Sequence, residues 1–398
     1  NIDRKMVTIR KIADLLPIPG ADKIELAVVD GWQCVVKRGM HYIHEQVIYF
    51  EIDSMMPHDD VRFSFLKDTK RIGSVRRPVL RTIKLRGQIS QGLVMPLNDF
   101  PEILNRPTKL SKLFKNKYFL KQYSLKEVLD QNHDLDKLLR VEKYDEDVDY
   151  SDPTPARHKG KIEGWLYRAK KALGFNKVKA EYRTKKNNTF PKFIPRTDEP
   201  RVQNMFNSLR SKANLDVEWE ETVKLDGKSA TFWYYDEKFG FASRNQTLSI
   251  GCCPTEFSDV ILKLKLNEHL PAFCRSISRN LAFQGELIGP SIGGNYEQVK
   301  ENEFYLFNIY DIDAQSPLLP DTRREMYDKY REFSSTNLKH VPIRGRKTLR
   351  PYSTIEAMME NANVPSINVK EAEGVVWQRV DRDESFKIIS NQYLLRKK

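Results

Sequence analysis

Through residues 1–100 apolar and polar positions alternate in short runs. Ile24, Leu26 and Val28 alternate with polar or small neighbours, Asp30-Gly31 interrupts, and Trp32, Cys34 and Val36 resume the alternation. Period-two runs on both sides of a two-residue Asp-Gly predict a β-hairpin, because that pair tolerates the backbone of a tight turn. Residues 47–52, 81–85 and 92–95 are further strand candidates. Several short strands separated by Gly and Pro predict a small barrel.

From residue 98 to 197 the alternation is lost. Residues 110–139 are polar with scattered leucines and predict short helices or irregular structure. An acidic run, 145–152, leads into Asp152-Pro153-Thr154-Pro155, which reads as a linker. Residues 157–186 are strongly basic, and within them Ile162, Trp165, Leu166, Ala169, Ala172 and Leu173 have helical spacing. That helix either lies on RNA or a membrane surface, or connects two domains with its basic face in water. From residue 190 the pattern is that of one α/β unit. Strands are predicted at 218–224, 230–235, 239–243, 281–286, 304–310 and 374–378, and helices at 254–266, 321–333 and 353–361. The expected division is 1–100, 101–189 and 190–398.

Composition narrows the function. A formal net charge of +13 favours a polyanionic partner, nucleic acid or an anionic surface. No apolar run approaches the ~18 residues of a membrane span, and residues 1–10 hold no apolar core of a secretory signal. An intracellular protein without a membrane is expected. Cys34, Cys252, Cys253 and Cys274 lack zinc-site spacing and read as free thiols. The histidines do not cluster, which argues against a His metal site or a Ser-His-Asp centre.

Candidate chemistry centres on Thr222-Val223-Lys224-Leu225-Asp226-Gly227-Lys228-Ser229, between two strand-like runs. A lysine at a strand end, followed by an Asp-Gly turn, places an amine beside backbone N–H groups. Attack on phosphorus needs a deprotonated amine, in-line geometry and neutralised phosphate charge. The amine must fall from about 10.4 towards ~7–8 to react near neutrality. K-x-D-G alone is too short to carry an assignment.

Later elements stand in an order that resembles the covalent nucleotidyltransferase superfamily of DNA ligases, RNA ligases and mRNA capping enzymes. They are Ser243-Arg244-Asn245, Phe283-Gln284-Gly285-Glu286-Leu287, Phe304-Tyr305-Leu306-Phe307, Glu373-Gly374-Val375-Val376 and Ser385-Phe386-Lys387-Ile388-Ile389. The resemblance implies that Lys224 forms a lysyl-AMP from ATP and that Phe307 stacks on adenine. It assigns Arg244 to the ribose or a phosphate, Glu286 to ribose hydroxyls or metal-bound water, and Lys387 to the α-phosphate. Glu373 with Asp226, and Glu286 beside them, would hold Mn²⁺ or Mg²⁺, partly through water. Arg201 is expected at the β/γ-phosphates on a separate ground: without a C-terminal OB domain, some other cation must orient the leaving pyrophosphate. Taken singly, each residue also has an ordinary reading: exposed strand carboxylates, a core aromatic, a surface arginine. The terminal element departs from the family's frequent K-x-K, since Ile389 stands at the second position, so Lys387 works alone or another cation substitutes. Ser229 stands where DNA ligases and capping enzymes carry Arg, which favours the RNA ligase branch.

The front of the chain points to the same branch. Ile18-Pro19-Gly20-Ala21-Asp22-Lys23-Ile24 and Arg81-Thr82-Ile83-Lys84-Leu85-Arg86-Gly87 resemble the N-terminal OB module of a nick-sealing RNA ligase group. The implied class is α+β: an N-terminal OB-fold β-barrel, then an adenylyltransferase (ATP-grasp-like nucleotidyltransferase) domain with antiparallel sheets and flanking helices. The implied partner is RNA, a nicked duplex sealed between 3′-OH and 5′-phosphate, by a monomer. Lys37, Arg38, Arg81, Lys84 and Arg86 are the candidates for RNA backbone contact. The alternatives are a DNA ligase or capping-type enzyme, a non-catalytic RNA-binding protein that kept the fold, and a tRNA-binding accessory module.

Overall fold

The computed structural model describes residues 4–104, 135–145 and 189–396. Its first body begins with β1 (Val7–Lys11), β2 (Asp14–Ile18), β3 (Ala21–Val29), β4 (Trp32–Lys37), β5 (Gln46–Phe50) and β6 (Ser54–Met55). It continues with β7 (Thr69–Ile72), β8 (Val75–Pro78), β9 (Ile83–Leu85), β10 (Gln88–Ser90) and β11 (Leu93–Pro96). β5 lies between β1 and β11, and β3 between β2 and β4. The Asp-Gly hairpin forms where the alternation predicts it: Val29 pairs with Trp32, and Asp30 takes a left-handed φ of 53°.

β5 reads as a continuous apolar run because both its faces are buried. Val47 and Tyr49 join Trp32, Cys34 and Val94, whereas Ile48 and Phe50 join Phe63 and Phe100 on the other side. This body also draws in residues beyond 100. After α1 (Pro101–Leu104), α2 (Leu135–Leu138) brings Leu135 into the core, where Leu139 and Val141 pack with Met6 and Ile9. β12 (Glu142–Lys143) then pairs with β6. The basic helix predicted within 157–186 lies outside the described residues, as does most of 110–139.

The second body opens with α3 (Val202–Leu209), β13 (Trp219–Lys224), β14 (Lys228–Tyr235), β15 (Lys238–Ser243) and β16 (Thr247–Leu248). α4 (Thr255–Leu264), α5 (Leu266–Ile277), β17 (Leu281–Ile288), β18 (Glu303–Asp311), β19 (Ser316–Pro317), α6 (Pro320–Ser334) and β20 (Lys339–His340) follow. β21 (Ile343–Lys347), α7 (Ile355–Glu360), β22 (Gly374–Arg379), β23 (Ser385–Ile389) and α8 (Asn391–Arg396) complete it. Two mainly antiparallel sheets result. One has the order β21-β13-β22-β23; the other runs β16-β15-β14-β17-β18-β19, with β20 parallel to β18.

Each sheet has its own apolar backing. Phe232, Phe241, Phe283 and Leu306 of the larger sheet pack with Phe257 and Ile261 of α4, Leu270 and Phe273 of α5, and Tyr330 of α6. Trp219, Val375, Trp377 and Phe386 of the smaller sheet pack with Val202 and Phe206 of α3 and Met358 of α7. The predicted strands and helices form to within a few residues. α5 departs from the pattern, because Lys265 at φ 46° ends one helix and starts the next, and Pro271 sits inside the second. Proline removes a backbone donor, so the local signal there reads as a break. Burial of Leu266, Leu270 and Phe273 outweighs it.

The barrel meets the second body at the start of α3. Asn204 Oδ1 accepts from Trp32 Nε1 at 2.8 Å and from Arg10 at 3.0 Å, and its amide donates to Glu51 at 3.2 Å. Gly31 N–H donates to Gln203 O at 3.0 Å. A Cβ on Gly31 would stand 2.7 Å from both Cα and O of Gln203, so the turn glycine is required by this approach.

Candidate functional site

Strand pairing gathers the charged side chains. Lys224 ends β13 opposite Gly374, the first residue of β22, so Glu373 arrives beside it and Lys224 Nζ donates to Glu373 Oε2 at 2.8 Å. On the far side of β22, Val376 pairs with Lys387 of β23. The larger sheet supplies the facing wall: Glu286 of β17 pairs with Ser229 of β14, and Phe307 comes from β18. The turn after Lys224 runs hard against β17, since a Cβ on Gly227 would lie 2.2 Å from Leu287 O.

These residues line one cavity of about 670 Å³ between the two sheets. Lys224, Asp226, Arg244, Glu286, Phe307, Glu373, Lys387 and Arg201 all border it. Arg81 of the barrel borders it too, while Lys37, Arg38, Lys84 and Arg86 are exposed elsewhere on the barrel. Arg81 lies 3.5 Å from Asp53 and over the Tyr144 ring at 4.8 Å, so it belongs to the cavity wall.

The sequence reading did not single out Arg4, Asp53, Lys143, Tyr144, Asp145 and Asp198, which also line the cavity. Asp198 accepts from Lys387 Nζ at 2.7 Å and Lys143 Nζ at 2.8 Å. Arg244 lies 3.3 Å from Asp145 and 3.7 Å from Asp198. Behind the Lys224 turn, buried Glu297 accepts from Asp226 N–H at 3.1 Å and Ser366 Oγ at 2.6 Å. Asp145 opens the acidic run 145–152, and long stretches of sequence separate these residues from the ones they meet.

The electrostatics of the two lysines diverge. Burial pulls the Lys224 ammonium down, but the charges of Glu373, Glu286 and Asp226 outweigh it and hold the group well above the ordinary lysine range. Lys387 is brought down to about 8, chiefly by burial; Asp198 opposes this, and Lys224, Arg201 and Arg4 reinforce it. Arg201, only 5% exposed, heads α3 beside Lys387 with its nearest carboxylate, Asp53, at 4.0 Å. Its Nε and Nη1 have no hydrogen-bond partner among the described residues. Arg201 as a residue borders the cavity, and a guanidinium there suits an anionic ligand.

Three carboxylates converge on Lys224, a donor set suited to a hard divalent cation. No three Asp, Glu, His or Cys among the described residues stand close enough to hold a metal by themselves. Glu373 is engaged with the Lys224 ammonium. The four cysteines are free thiols. No helix among the described residues is long and apolar enough to cross a membrane.

A family model described as RNA ligase matches residues 217–389, and one described as an OB-fold domain matches residues 6–97. The solved structure of Naegleria gruberi RNA ligase with pyrophosphate is 33% identical, with a TM-score of 0.75 and 98% of each chain covered. The chain belongs to the RNA ligase family. The ligase is also similar to a mutant of the Naegleria enzyme with ATP and Mn, at 32% identity and a TM-score of 0.75. A further mutant with AMP and Mn matches at 33% and 0.74, and both alignments cover 98% of each chain. No curated protein matches the ligase. Its barrel is thus an OB fold and its second body an RNA ligase domain, as the sequence motifs lead one to expect, and the ligase is an enzyme that joins RNA.

Proposed function

We propose that the ligase seals 3′-OH/5′-phosphate nicks in duplex RNA through an AMP carried on Lys224. The observation that carries this reading is the convergence of Lys224, Glu373 and Lys387 in one cavity with Phe307 on the opposite wall. Lys224 Nζ attacks the α-phosphorus of ATP, forming a P–N bond as the bond to pyrophosphate breaks. AMP passes to the RNA 5′-phosphate, and the 3′-OH then displaces it to form the phosphodiester.

Each residue has a defined task. Lys387 lies across β22 from Lys224 and offsets charge on the α-phosphate. Arg201 meets the β/γ-phosphates from the cavity wall. Phe307 stacks on adenine, Arg244 touches ribose or a phosphate, and Glu286 binds the ribose hydroxyls. Lys224 must lose a proton that Glu373, Glu286 and Asp226 retain. Asp226, Glu286 or Glu373 would hold a Mn²⁺ or Mg²⁺ ion that arrives with ATP, and the ion's positive charge would offset those carboxylates and the phosphate oxygens. The Naegleria structures with ATP and Mn and with AMP and Mn support ATP and a divalent cation as cofactors. Lys37, Arg38, Lys84 and Arg86 hold RNA backbone on the outer barrel, and Arg81 serves at the cavity.

Incubation with α-labelled ATP and Mn²⁺, followed by denaturing electrophoresis, tests the reading. Label on the wild type and none on Lys224→Ala is expected, with sealing of nicked RNA duplex. Label retained by Lys224→Ala would remove the lysine from its role. No label on a wild type free of bound AMP would favour a protein that holds RNA without ligating it.

A further inference from the structure

The carboxylate of Asp198 sits where three cations converge. Lys143 Nζ donates to Oδ2 at 2.8 Å, Lys387 Nζ donates to Oδ1 at 2.7 Å, and Arg244 Nη2 lies 3.7 Å from Oδ2 while its Nε lies nearer to Asp145, at 3.3 Å. They arrive from separate places: β12 on the barrel side, β23 of the smaller sheet, and the residue after β15 of the larger sheet. Two ammonium groups and a guanidinium around one anion is the arrangement that recognises phosphate oxygens. Arg201, beside Lys387, adds buried donors that Asp198 does not satisfy.

Asp198 is also free of regular secondary structure. It lies in the irregular stretch before α3, so its carboxylate can leave without breaking a strand pair or a helical turn. Lys387 and Lys143 belong to paired strands and stay in place.

We propose that Asp198 is an internal stand-in for phosphate. Its carboxylate fills an anion seat built by Lys143, Lys387 and Arg244, and a phosphate-bearing ligand displaces it. That ligand is either the polyphosphate of a nucleotide or the 5′-phosphate of RNA. The proposal rests on the reading of the cavity as a nucleotidyl-transfer site. Asp198 keeps the cations from repelling one another between turnovers. It also competes with each incoming phosphate, so it weakens binding and hastens release.

The test is calorimetric titration of the full chain near pH 6.5, where Lys387 is protonated. Wild type, Asp198→Asn and Asp198→Ala are each titrated with pyrophosphate and with matched RNAs bearing a 5′-phosphate or a 5′-hydroxyl. At least fivefold tighter binding by both variants is expected for one phosphate ligand. A gain for pyrophosphate identifies the nucleotide; a gain for 5′-phosphate RNA over its 5′-hydroxyl match identifies the RNA end. A residue that only braces the fold would lose affinity on substitution. Binding of both ligands no tighter than wild type would overturn the proposal. Should the alanine variant not fold, the isosteric asparagine decides. Binding is read without catalysis, so a wild type that forms no lysyl-AMP would sink the ligation reading and leave this test standing.

Discussion

Lys224 and Lys387 flank the same strand: one lies opposite Gly374 and the other opposite Val376 of β22, with Glu373 bonded to the first and Asp198 to the second. Each lysine has its own carboxylate, and the two are shifted from the ordinary lysine value in opposite directions, Lys224 up and Lys387 down. Glu373 raises Lys224, so Glu373→Gln lets that amine deprotonate at lower pH. The acid limb of the adenylylation rate should move down, while the maximal rate falls by an order of magnitude or more as a carboxylate for the cation is removed. Rates of lysyl-AMP formation from pH 5.5 to 9 check this; an unmoved acid limb would refute it.

In the role proposed for it Lys387 must be protonated to offset phosphate charge, and burial has brought it down to about 8. Its contribution is present below that value and lost above it. The kcat/KM for adenylylation, which reports the free enzyme, should therefore fall as pH rises through about 8. Lys387→Arg, which stays charged, should remove that limb, and a pH profile of both proteins measures it.

Arg201 holds two buried donors with no partner among the described residues. Leaving such donors unsatisfied costs about 1–3 kcal/mol. Arg201→Met should consequently raise the melting temperature of the ligand-free protein while raising the KM for ATP tenfold or more. Thermal unfolding and adenylylation kinetics on one preparation test the pair of effects. A drop in stability would show that the arginine braces the fold.

Gly31→Ala places a methyl 2.7 Å from the Gln203 backbone. The barrel must shift from α3, at a cost of about 1–3 kcal/mol by the scale of overpacked cores. Because Asn204 and Arg201 share that segment, adenylylation should slow as well as RNA sealing. Unchanged melting and unchanged adenylylation would show that the turn tolerates a side chain.

Lys84 and Arg86 are exposed on the β9–β10 hairpin, away from the cavity. Their double alanine variant should weaken RNA binding and reduce the slope of log K against log salt by about 2, roughly one for each phosphate no longer neutralised. Adenylylation should be unaffected. Fluorescence anisotropy across a salt series measures the slope.

The fold was legible where local pattern and tertiary demand agree. Asp30-Gly31 marks its hairpin because Asp30 takes a positive φ, and Val47 to Phe50 read as a strand because both faces are buried. α5 was not legible, since Pro271 and the left-handed Lys265 look like breaks and only packing against distant strands overrides them. At the site, Lys224, Glu286, Phe307, Glu373 and Lys387 were legible because motif order names them. Lys143 and Arg4 were not, because nothing near them in the chain signals that folding carries them to Asp198 and Asp53. Arg81 illustrates the limit of reading charge: as a basic residue of the barrel it resembles Lys84, yet ion pairing with Asp53 sets it in the cavity wall.

Residues 198–204 touch both halves of the molecule at once. Asp198 grips Lys387 and Lys143, Arg201 lies along Lys387, and Gln203 and Asn204 hold the barrel through Gly31, Trp32, Arg10 and Glu51. The boundary between the two domains is therefore not a neutral joint. A chimaera that exchanges the barrel for that of a relative would inherit a mismatched seam unless this heptapeptide travels with it, and the mismatch would surface first at a lysine in the other domain.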